Sequence, residues 1–211
     1  MSKTIVLLSG PPNSGKGFLA EHLIKRLGGV EKEFKASLYQ HTAAYFGVDL
    51  DWFKIMTTDR IIKEIPLGQL MLPPREYIDL KMLLGQSGVA FDSQKSMISP
   101  REAMIFVSEL VYKPKEGEDY FGLQAANTME EGNNFVSDAG FAEEAEVQVT
   151  EFGVEDVLLV RIHREGTTFE GDSRDYLDLD YLGVSTLDVD NNRDISEVVS
   201  DIAEFMANEL W

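Results

Sequence analysis

The sequence predicts an α/β protein in which a parallel sheet is covered by helices on both faces. Two observations lead to this fold class. Residues 4–9 form a short, continuous apolar run, which is typical of a strand buried on both faces. A helical pattern follows at residues 16–27, and strand-like runs then alternate with helical ones along the chain. Because this alternation is the order that builds parallel sheets, we expect the first run to be a sheet strand.

The remaining elements follow from apolar spacing and from residues that start or stop helices. We predict further helices at residues 34–47, 75–85, 99–111, 120–130, 142–152 and 195–210. Further strands are predicted at residues 134–137, 157–162 and 184–189. Residues 51–65 mix apolar and charged side chains, and no element is predicted there. Residues 87–98 and 113–119 are predicted as loops. The highly charged residues 163–180 are predicted as a lid-like loop.

The composition restricts the classes of function. The 211 residues carry a formal net charge of −18, which disfavours an extended nucleic-acid interface because such binding needs clustered Lys and Arg. There is no cysteine, and His22, His41 and His163 lie far apart, so the sequence indicates no thiolate or histidine metal site. The first apolar run is too short for a signal peptide or a membrane span, and we expect a cytoplasmic protein.

The most specific motif lies between the first strand and the first helix. Gly10 to Gly17 reads Gly-Pro-Pro-Asn-Ser-Gly-Lys-Gly and contains the G-x-x-x-x-G-K pattern of a phosphate-binding loop (P-loop). The glycines let successive backbone N–H groups turn toward one anion, and the helix that begins near Lys16 adds its positive end. The motif predicts the P-loop NTPase fold and a triphosphate site formed by Gly10, Asn13, Ser14, Gly15, Lys16, Gly17 and Phe18.

Position 17 departs from the commonest form of the motif. Many P-loops have a Ser or Thr there, whose hydroxyl binds Mg²⁺, but this chain has Gly17. We expect ATP and Mg²⁺ as cofactors, with the ion held by phosphates, water and an unknown carboxylate elsewhere. The Gly-Lys-Gly ending is similar to that of adenylate-kinase-type enzymes, although these continue with Thr and this chain with Phe18. The ending therefore favours a small-molecule kinase.

Later segments resemble the deoxynucleoside monophosphate kinases of bacteriophages, in the same order along the chain. Asp59 to Pro66 is similar to that family's basic stretch ending in Lys-Glu-x-Pro, and Ser99 to Glu102 to its Pro-Arg helix start. Gly117 to Phe121 is similar to its Gly-Glu-Asp-aromatic segment, and Ser137 to Glu146 to its Asp-x-Arg-Phe-x-x-Glu-Ala-Glu pattern. Further similar segments are residues 34–47, 160–166 and 187–192.

The resemblance implies an enzyme that transfers the γ-phosphate of ATP to a (deoxy)nucleoside monophosphate. Residues 1–211 would form a single kinase domain, with a helical acceptor-binding region at about 34–130 and the lid at about 163–180. The catalytic residues would be Lys16, Arg164 and Asp138. The acceptor-binding residues would be Arg60, Lys63, Arg101, Tyr120, Phe121 and Asp138.

The chemistry of phosphoryl transfer agrees with these residue types. Two anionic substrates must meet in line, and arginines suit this task because their forked donors bind phosphate oxygens bidentately. Structural roles stay open as alternatives: an ion pair for Arg60 and Arg101, a solvated loop for Arg164 and Arg174, a helix cap for Asp138, and core packing for Tyr120 and Phe121.

The chain departs from the family pattern near the expected acceptor pocket. Gly140 stands where the family has an arginine, and Tyr39 where it often has a lysine. Two other functions therefore stay open: a P-loop kinase acting on a hydroxymethylated base in phage DNA, and a non-catalytic nucleotide-binding relative. The expected partner is a small-molecule nucleotide, without nucleic acid or membrane, and a homodimer is left open.

Overall fold

The computed structural model describes residues 3–86, 96–172 and 174–209. The chain divides into two compact units. The sheet unit comprises Met1–Lys35 and Phe121–Trp211, and the helical unit comprises Ala36–Tyr120. The helical unit covers most of the range 34–130 for which acceptor binding is predicted, and that role stays a prediction.

The regular elements alternate along the chain. The strands are β1 (Lys3–Ser9), β2 (Val30–Lys32), β3 (Leu67–Met71), β4 (Met97–Ile98), β5 (Gly132–Val136), β6 (Val157–His163) and β7 (Ser185–Asp190). The α-helices are α1 (Lys16–Leu27), α2 (Lys35–Phe46), α3 (Leu50–Thr58), α4 (Pro74–Leu83), α5 (Pro100–Ile105), α6 (Lys113–Glu116), α7 (Tyr120–Ala126), α8 (Ala142–Phe152) and α9 (Ile195–Glu209).

The sheet unit is built on a parallel sheet whose strand order is β2-β5-β1-β6-β7. β1 lies at its centre and pairs in parallel with β5 on one side and β6 on the other. Parallel strands need crossover connections, and α1 supplies the one from β1 to β2, which lie on opposite sides of β5. The carboxyl ends of these strands therefore meet at one edge of the sheet, where α/β proteins bind ligands.

The side chains of β1 alternate between two hydrophobic cores, because successive strand residues point to opposite faces. Val6 and Leu8 pack in a core that contains residues of α1 and α9, and Ile5 and Leu7 in one that contains residues of α7 and α8. All four side chains are fully buried. Helices thus cover both faces of the sheet, and the fold is the α/β P-loop NTPase fold that the sequence predicts.

The helical unit has a core of its own. Its helices α2 to α5 and the antiparallel pair of β3 and β4 contribute to it, with Phe53, Leu70 and Leu80 fully buried. Ser99 caps α5 in a capping box: its hydroxyl accepts from the Glu102 N–H at 3.2 Å, and the Glu102 carboxylate accepts from the Ser99 N–H at 3.0 Å. A π-helical segment, Phe106–Tyr112, connects α5 to α6.

The long elements of the sheet unit confirm the sequence prediction. The predicted helices at 16–27 and 142–152 coincide with α1 and α8. The prediction missed β2, β3, α3 and α6, and residues 97–98, which fall in a predicted loop, form β4. Residues 87–95 of that loop lie outside the described residues. In the ranges that the structure describes, no helix is both long and apolar enough to cross a membrane.

Candidate phosphate-binding site

The P-loop runs from the end of β1 into α1, and its backbone requires glycine at two places. Gly15 has φ 96°, and a Cβ there would lie 2.6 Å from Asn191 Nδ2. A Cβ on Gly10 would lie 2.7 Å from Ser14 Oγ and 2.8 Å from the Ile162 carbonyl oxygen. Gly10 thus provides close approach, and Gly15 provides both close approach and a left-handed conformation.

Two residues from neighbouring strand ends hold the loop from the side. Asn191, just after β7, donates from Nδ2 to the Ser14 carbonyl oxygen at 2.6 Å. Arg164, just after β6, donates from Nη1 to the Asn13 carbonyl oxygen at 3.3 Å. The structure therefore brings the predicted Arg164 to the P-loop. Asn191 lies in the family-like segment 187–192, but no role at the site is predicted for it from the sequence.

Lys16 lies against the loop that precedes it. Its Nζ donates to the carbonyl oxygens of Gly10 at 2.6 Å and Pro11 at 2.9 Å. Burial lowers the pKa of Lys16 to about 8, and the nearby positive charge of Arg174 adds to this effect, while Asp172 opposes it. An ammonium group that is poorly solvated and repelled by another cation gains from a bound anion, which fits the predicted phosphate site.

Ser14 has a buried hydroxyl inside the loop. The residue is fully buried, and its Oγ has no hydrogen-bond partner among the described residues. Buried hydroxyls nearly always have a partner, so this oxygen is suited to a bound water. The predicted role of Ser14 in triphosphate binding stays a prediction.

An open cleft of about 330 Å³ adjoins the P-loop. Its volume falls within the range of roughly 300–1,000 Å³ that is common for small-molecule sites. Basic and acidic side chains line it together with the loop backbone. The lining residues are Asn13, Gly15, Lys16, Gly17, Phe18, Glu31, Glu33, Lys35 and Ser137. The predicted residues from Asn13 to Phe18 therefore lie at one place, except that Ser14 is buried beneath the surface.

Asp138 lies just after β5, beside Ser137. Its carboxylate accepts from the backbone N–H groups of Phe34 at 2.8 Å and Lys35 at 3.2 Å, and Lys35 Nζ lies 3.9 Å away. Burial raises the pKa of Asp138, and the positive charge of Lys35 opposes the shift. The residue thus ties the segment after β2 to the end of β5, which is the structural role that the sequence left open. Its predicted catalytic and acceptor roles stay predictions.

Arg174 occupies the space beside Gly140. A Cβ on Gly140 would lie 2.6 Å from Arg174 Cδ, so a side chain at position 140 would need the volume that Arg174 fills. Asp172 orients the guanidinium by accepting from Nε at 2.9 Å and from Nη2 at 2.7 Å. The sequence offered a solvated loop as the alternative for Arg174, but here its charge is close enough to affect Lys16. An arginine is therefore present next to the position where the family pattern has one.

The predicted basic acceptor residues lie in the helical unit. Arg101 Nη1 is 3.2 Å from Glu64 Oε1, and Lys63 Nζ is 3.9 Å from the same oxygen. The structure therefore brings Lys63 and Arg101 together around one carboxylate. Arg60 is exposed in the turn after α3. An ion pair, the alternative that the sequence left open for Arg101, is present.

The two predicted aromatic residues differ in their surroundings. Tyr120 belongs to a cluster with His41 and Tyr112: its ring stacks on that of Tyr112 at 5.3 Å and its hydroxyl lies 3.1 Å from His41 Nε2. The rings of His41 and Tyr112 are 4.3 Å apart. Phe121 is only 4% exposed, which does not support its predicted stacking on a base, because the ring has no open face. Tyr112, in the π-helical segment, was not predicted.

Two solved structures are similar to this chain at low sequence identity. No protein-family model matches the sequence, and no curated protein sequence matches it significantly. The structure is similar to a sugar kinase from Janibacter sp. HTCC2649, with TM-score 0.40, 10% identity, and 98% of this chain and 95% of that chain covered. It is also similar to a gluconokinase from Sinorhizobium meliloti 1021, with TM-score 0.41, 13% identity, and 98% and 93% covered. Both TM-scores are below 0.5, so these likenesses establish no activity.

Proposed function

We propose that this protein is a kinase that transfers the γ-phosphate of ATP to a (deoxy)nucleoside monophosphate. The observation that carries the proposal is the P-loop at the end of β1, with Lys16 folded against it and Arg164 hydrogen-bonded beside it. Backbone N–H groups, an ammonium and a guanidinium at one place are the groups that stabilise a polyphosphate and the charge of a transferring phosphoryl group.

In phosphoryl transfer, the side chains of the protein position the substrates and neutralise charge, and they form no covalent bond to the phosphoryl group. An oxygen of the acceptor phosphate attacks the γ-phosphorus, the bond to the β–γ bridging oxygen breaks, and ADP leaves with that electron pair. Lys16 and Arg164 neutralise charge on the phosphates, and Arg174, oriented by Asp172, adds a third cation near Lys16. Mg²⁺ bound with ATP supplies further charge neutralisation.

The helical unit supplies groups that suit a nucleotide acceptor. Lys63 and Arg101 converge on Glu64, and an acceptor phosphate could replace that carboxylate as their anionic partner. The ring cluster that includes Tyr120 offers aromatic surface for a base. Both features support a monophosphate nucleotide over a neutral acceptor such as a sugar.

The position of Arg174 bears on the non-catalytic alternative. That alternative relied on Gly140, which lacks the arginine of the family pattern. Since Arg174 fills the neighbouring space, the glycine does not leave this part of the site without a guanidinium. We therefore favour an active kinase over a relative that only binds nucleotide.

The test is ADP formation by the purified protein with ATP and a panel of ribo- and deoxynucleoside monophosphates. We expect turnover with at least one of them. Arg101→Ala should raise the KM for the acceptor by roughly 10–100-fold, because about one pair of charge-assisted hydrogen bonds to the acceptor is lost. The KM for ATP should stay nearly unchanged. Arg75→Ala is the matched control, because Arg75 is 93% exposed on α4.

Other outcomes distinguish the alternatives. Phosphate transfer to DNA that carries hydroxymethylated bases, without transfer to free nucleotides, would identify the DNA kinase. ATP binding without turnover on any acceptor, unchanged in Arg101→Ala, would identify the non-catalytic relative. Absence of ATP binding would refute all three.

A further inference from the structure

The part of the cleft in front of Gly17 contains a carboxylate. A Cβ built on Gly17 would lie 3.8 Å from Glu31 Oε1, an ordinary van der Waals distance. Gly17 occupies the first turn of α1, and Glu31 lies in β2, so the proximity arises from the β1–α1–β2 crossover and not from the loop sequence. The residue that lacks a hydroxyl is therefore next to a side chain with two oxygen ligands.

Glu31 differs from the other carboxylates near the loop. Glu33 is paired with Lys35 at 3.2 Å, and Asp138 accepts from two backbone N–H groups. Among the residues that the structure describes, Glu31 has no hydrogen-bond or ion-pair partner, although its side chain lines the cleft beside Lys16. Its oxygens are therefore available to a ligand without breaking an existing contact.

The available donors fit a magnesium ion that arrives with a triphosphate. Mg²⁺ prefers oxygen ligands and is usually bound through one or two carboxylates, substrate phosphates and several waters. Within the described ranges, no three or more His, Asp and Glu side chains are grouped to hold a metal by themselves. A single carboxylate next to a P-loop matches an ion that is held mainly by the nucleotide.

We propose that Glu31 supplies the protein's carboxylate contact to the Mg²⁺ of Mg·ATP, in place of the hydroxyl that Gly17 lacks. The inference rests on the proposed triphosphate site and assigns a residue that the P-loop motif does not contain. It also gives a reason for the presence of Glu31 in a cleft that binds an anion: without the ion, Glu31 repels phosphate, and with the ion it attracts it.

The experiment measures the ATP dissociation constant by calorimetry in Mg²⁺ and in EDTA. For the wild type we expect tighter binding in Mg²⁺. The gain from Mg²⁺ is the ATP dissociation constant in EDTA divided by the constant in Mg²⁺. In Glu31→Gln this ratio should fall about tenfold or more, which is the usual loss when a group that supports a bound metal is removed. The dissociation constant in EDTA should stay equal or decrease. The relaxation rate of water protons with Mn²⁺ and ATP gives a second readout, and its protein-dependent enhancement should be smaller in the variant at the same protein concentration, because less Mn·ATP is bound.

Two further variants control the interpretation. Glu21→Gln removes the same charge from an exposed site on α1, where Glu21 pairs with Lys25, and should leave the gain from Mg²⁺ unchanged. Gly17→Ser in the Glu31→Gln background restores a hydroxyl at position 17, where the Cβ fits and φ is not positive. This double variant should recover most of the lost gain, because Ser is the usual P-loop ligand at that position.

The outcomes separate the inference from the proposed function. If the wild type binds ATP in neither condition, the triphosphate site itself is refuted. If ATP binds but Glu31→Gln keeps the full gain from Mg²⁺, the role of Glu31 is refuted and the triphosphate site stands. If the gain is lost and Gly17→Ser does not restore it, although Gly17→Ser alone binds Mg·ATP normally, Glu31 acts in another way and the inference is overturned.

Discussion

ATP binding should weaken as the pH rises through the pKa of Lys16. Burial and the charge of Arg174 lower that pKa to about 8, so Lys16 begins to lose its charge near neutral pH. A bound triphosphate stabilises the charged form and raises the pKa again. The protein must therefore take up a proton on Lys16 when it binds ATP at alkaline pH.

The size of the effect follows from the two protonation states. If only the charged form binds, so that Lys16 stays protonated in the complex, the dissociation constant rises roughly 15-fold between about pH 8 and about pH 9.5, and approaches tenfold per pH unit beyond. The same shift acts on stability in the opposite direction. Between the folded pKa of about 8 and the ordinary value of 10.5, the unfolded state binds more protons, so the Lys16 contribution to stability rises with pH.

Calorimetry in two buffers of different ionisation enthalpy measures the proton uptake directly. We expect about half a proton per ATP near pH 8 and nearly a full proton near pH 9.5. Lys25→Met, which changes an exposed lysine of α1 that pairs with Glu21, should leave the uptake unchanged. In urea denaturation without nucleotide, Lys16→Met should remove part of the rise in stability above pH 8. A pH-independent dissociation constant and no proton uptake would refute the assigned environment of Lys16.

Three further substitutions test the surroundings of the loop. Asn191→Ala removes the 2.6 Å hydrogen bond to the loop and should weaken ATP binding about tenfold by calorimetry; unchanged affinity would show that the loop does not need this support. Asp138→Asn leaves one of two backbone N–H groups without its acceptor and should cost about 1–3 kcal/mol in urea denaturation, whereas unchanged stability would contradict the tie between strand ends. Gly140→Ala should displace Arg174 and move the pH midpoint of proton uptake upward, and an unmoved midpoint would contradict their contact.

The P-loop, which is the predicted triphosphate-binding part of the site, could be predicted because neighbouring residues in the sequence encode it. Gly10, Gly15 and Lys16 lie within seven residues, and the buried strand and the helix that flank them have clear patterns. The structure confirms both elements at nearly the predicted bounds. A short-range motif of this kind needs no knowledge of the rest of the chain.

What the sequence did not reveal depends on contacts between distant segments. Asn191 and Arg174 reach the loop region from the far end of the chain, and no spacing rule connects them to it. β2 has three residues, too few for an alternation pattern, yet it brings Glu31 to Gly17. α3 was missed because its residues look mixed, although the Asp49 side chain accepts from the Trp52 N–H at 2.8 Å as an N-cap.

The arrangement of Lys16 explains how the loop can be ready for an anion before one binds. An ammonium has three N–H donors, and two of them are used by the Gly10 and Pro11 carbonyls. These two bonds fix the direction of the side chain, and the third donor stays available to a phosphate oxygen. Because the lysine is already held and partly desolvated, little reorganisation is needed when the triphosphate arrives, and the electrostatic attraction acts at low dielectric. The lowered pKa is the consequence of the same arrangement, since a cation held in this way is costly until an anion is next to it.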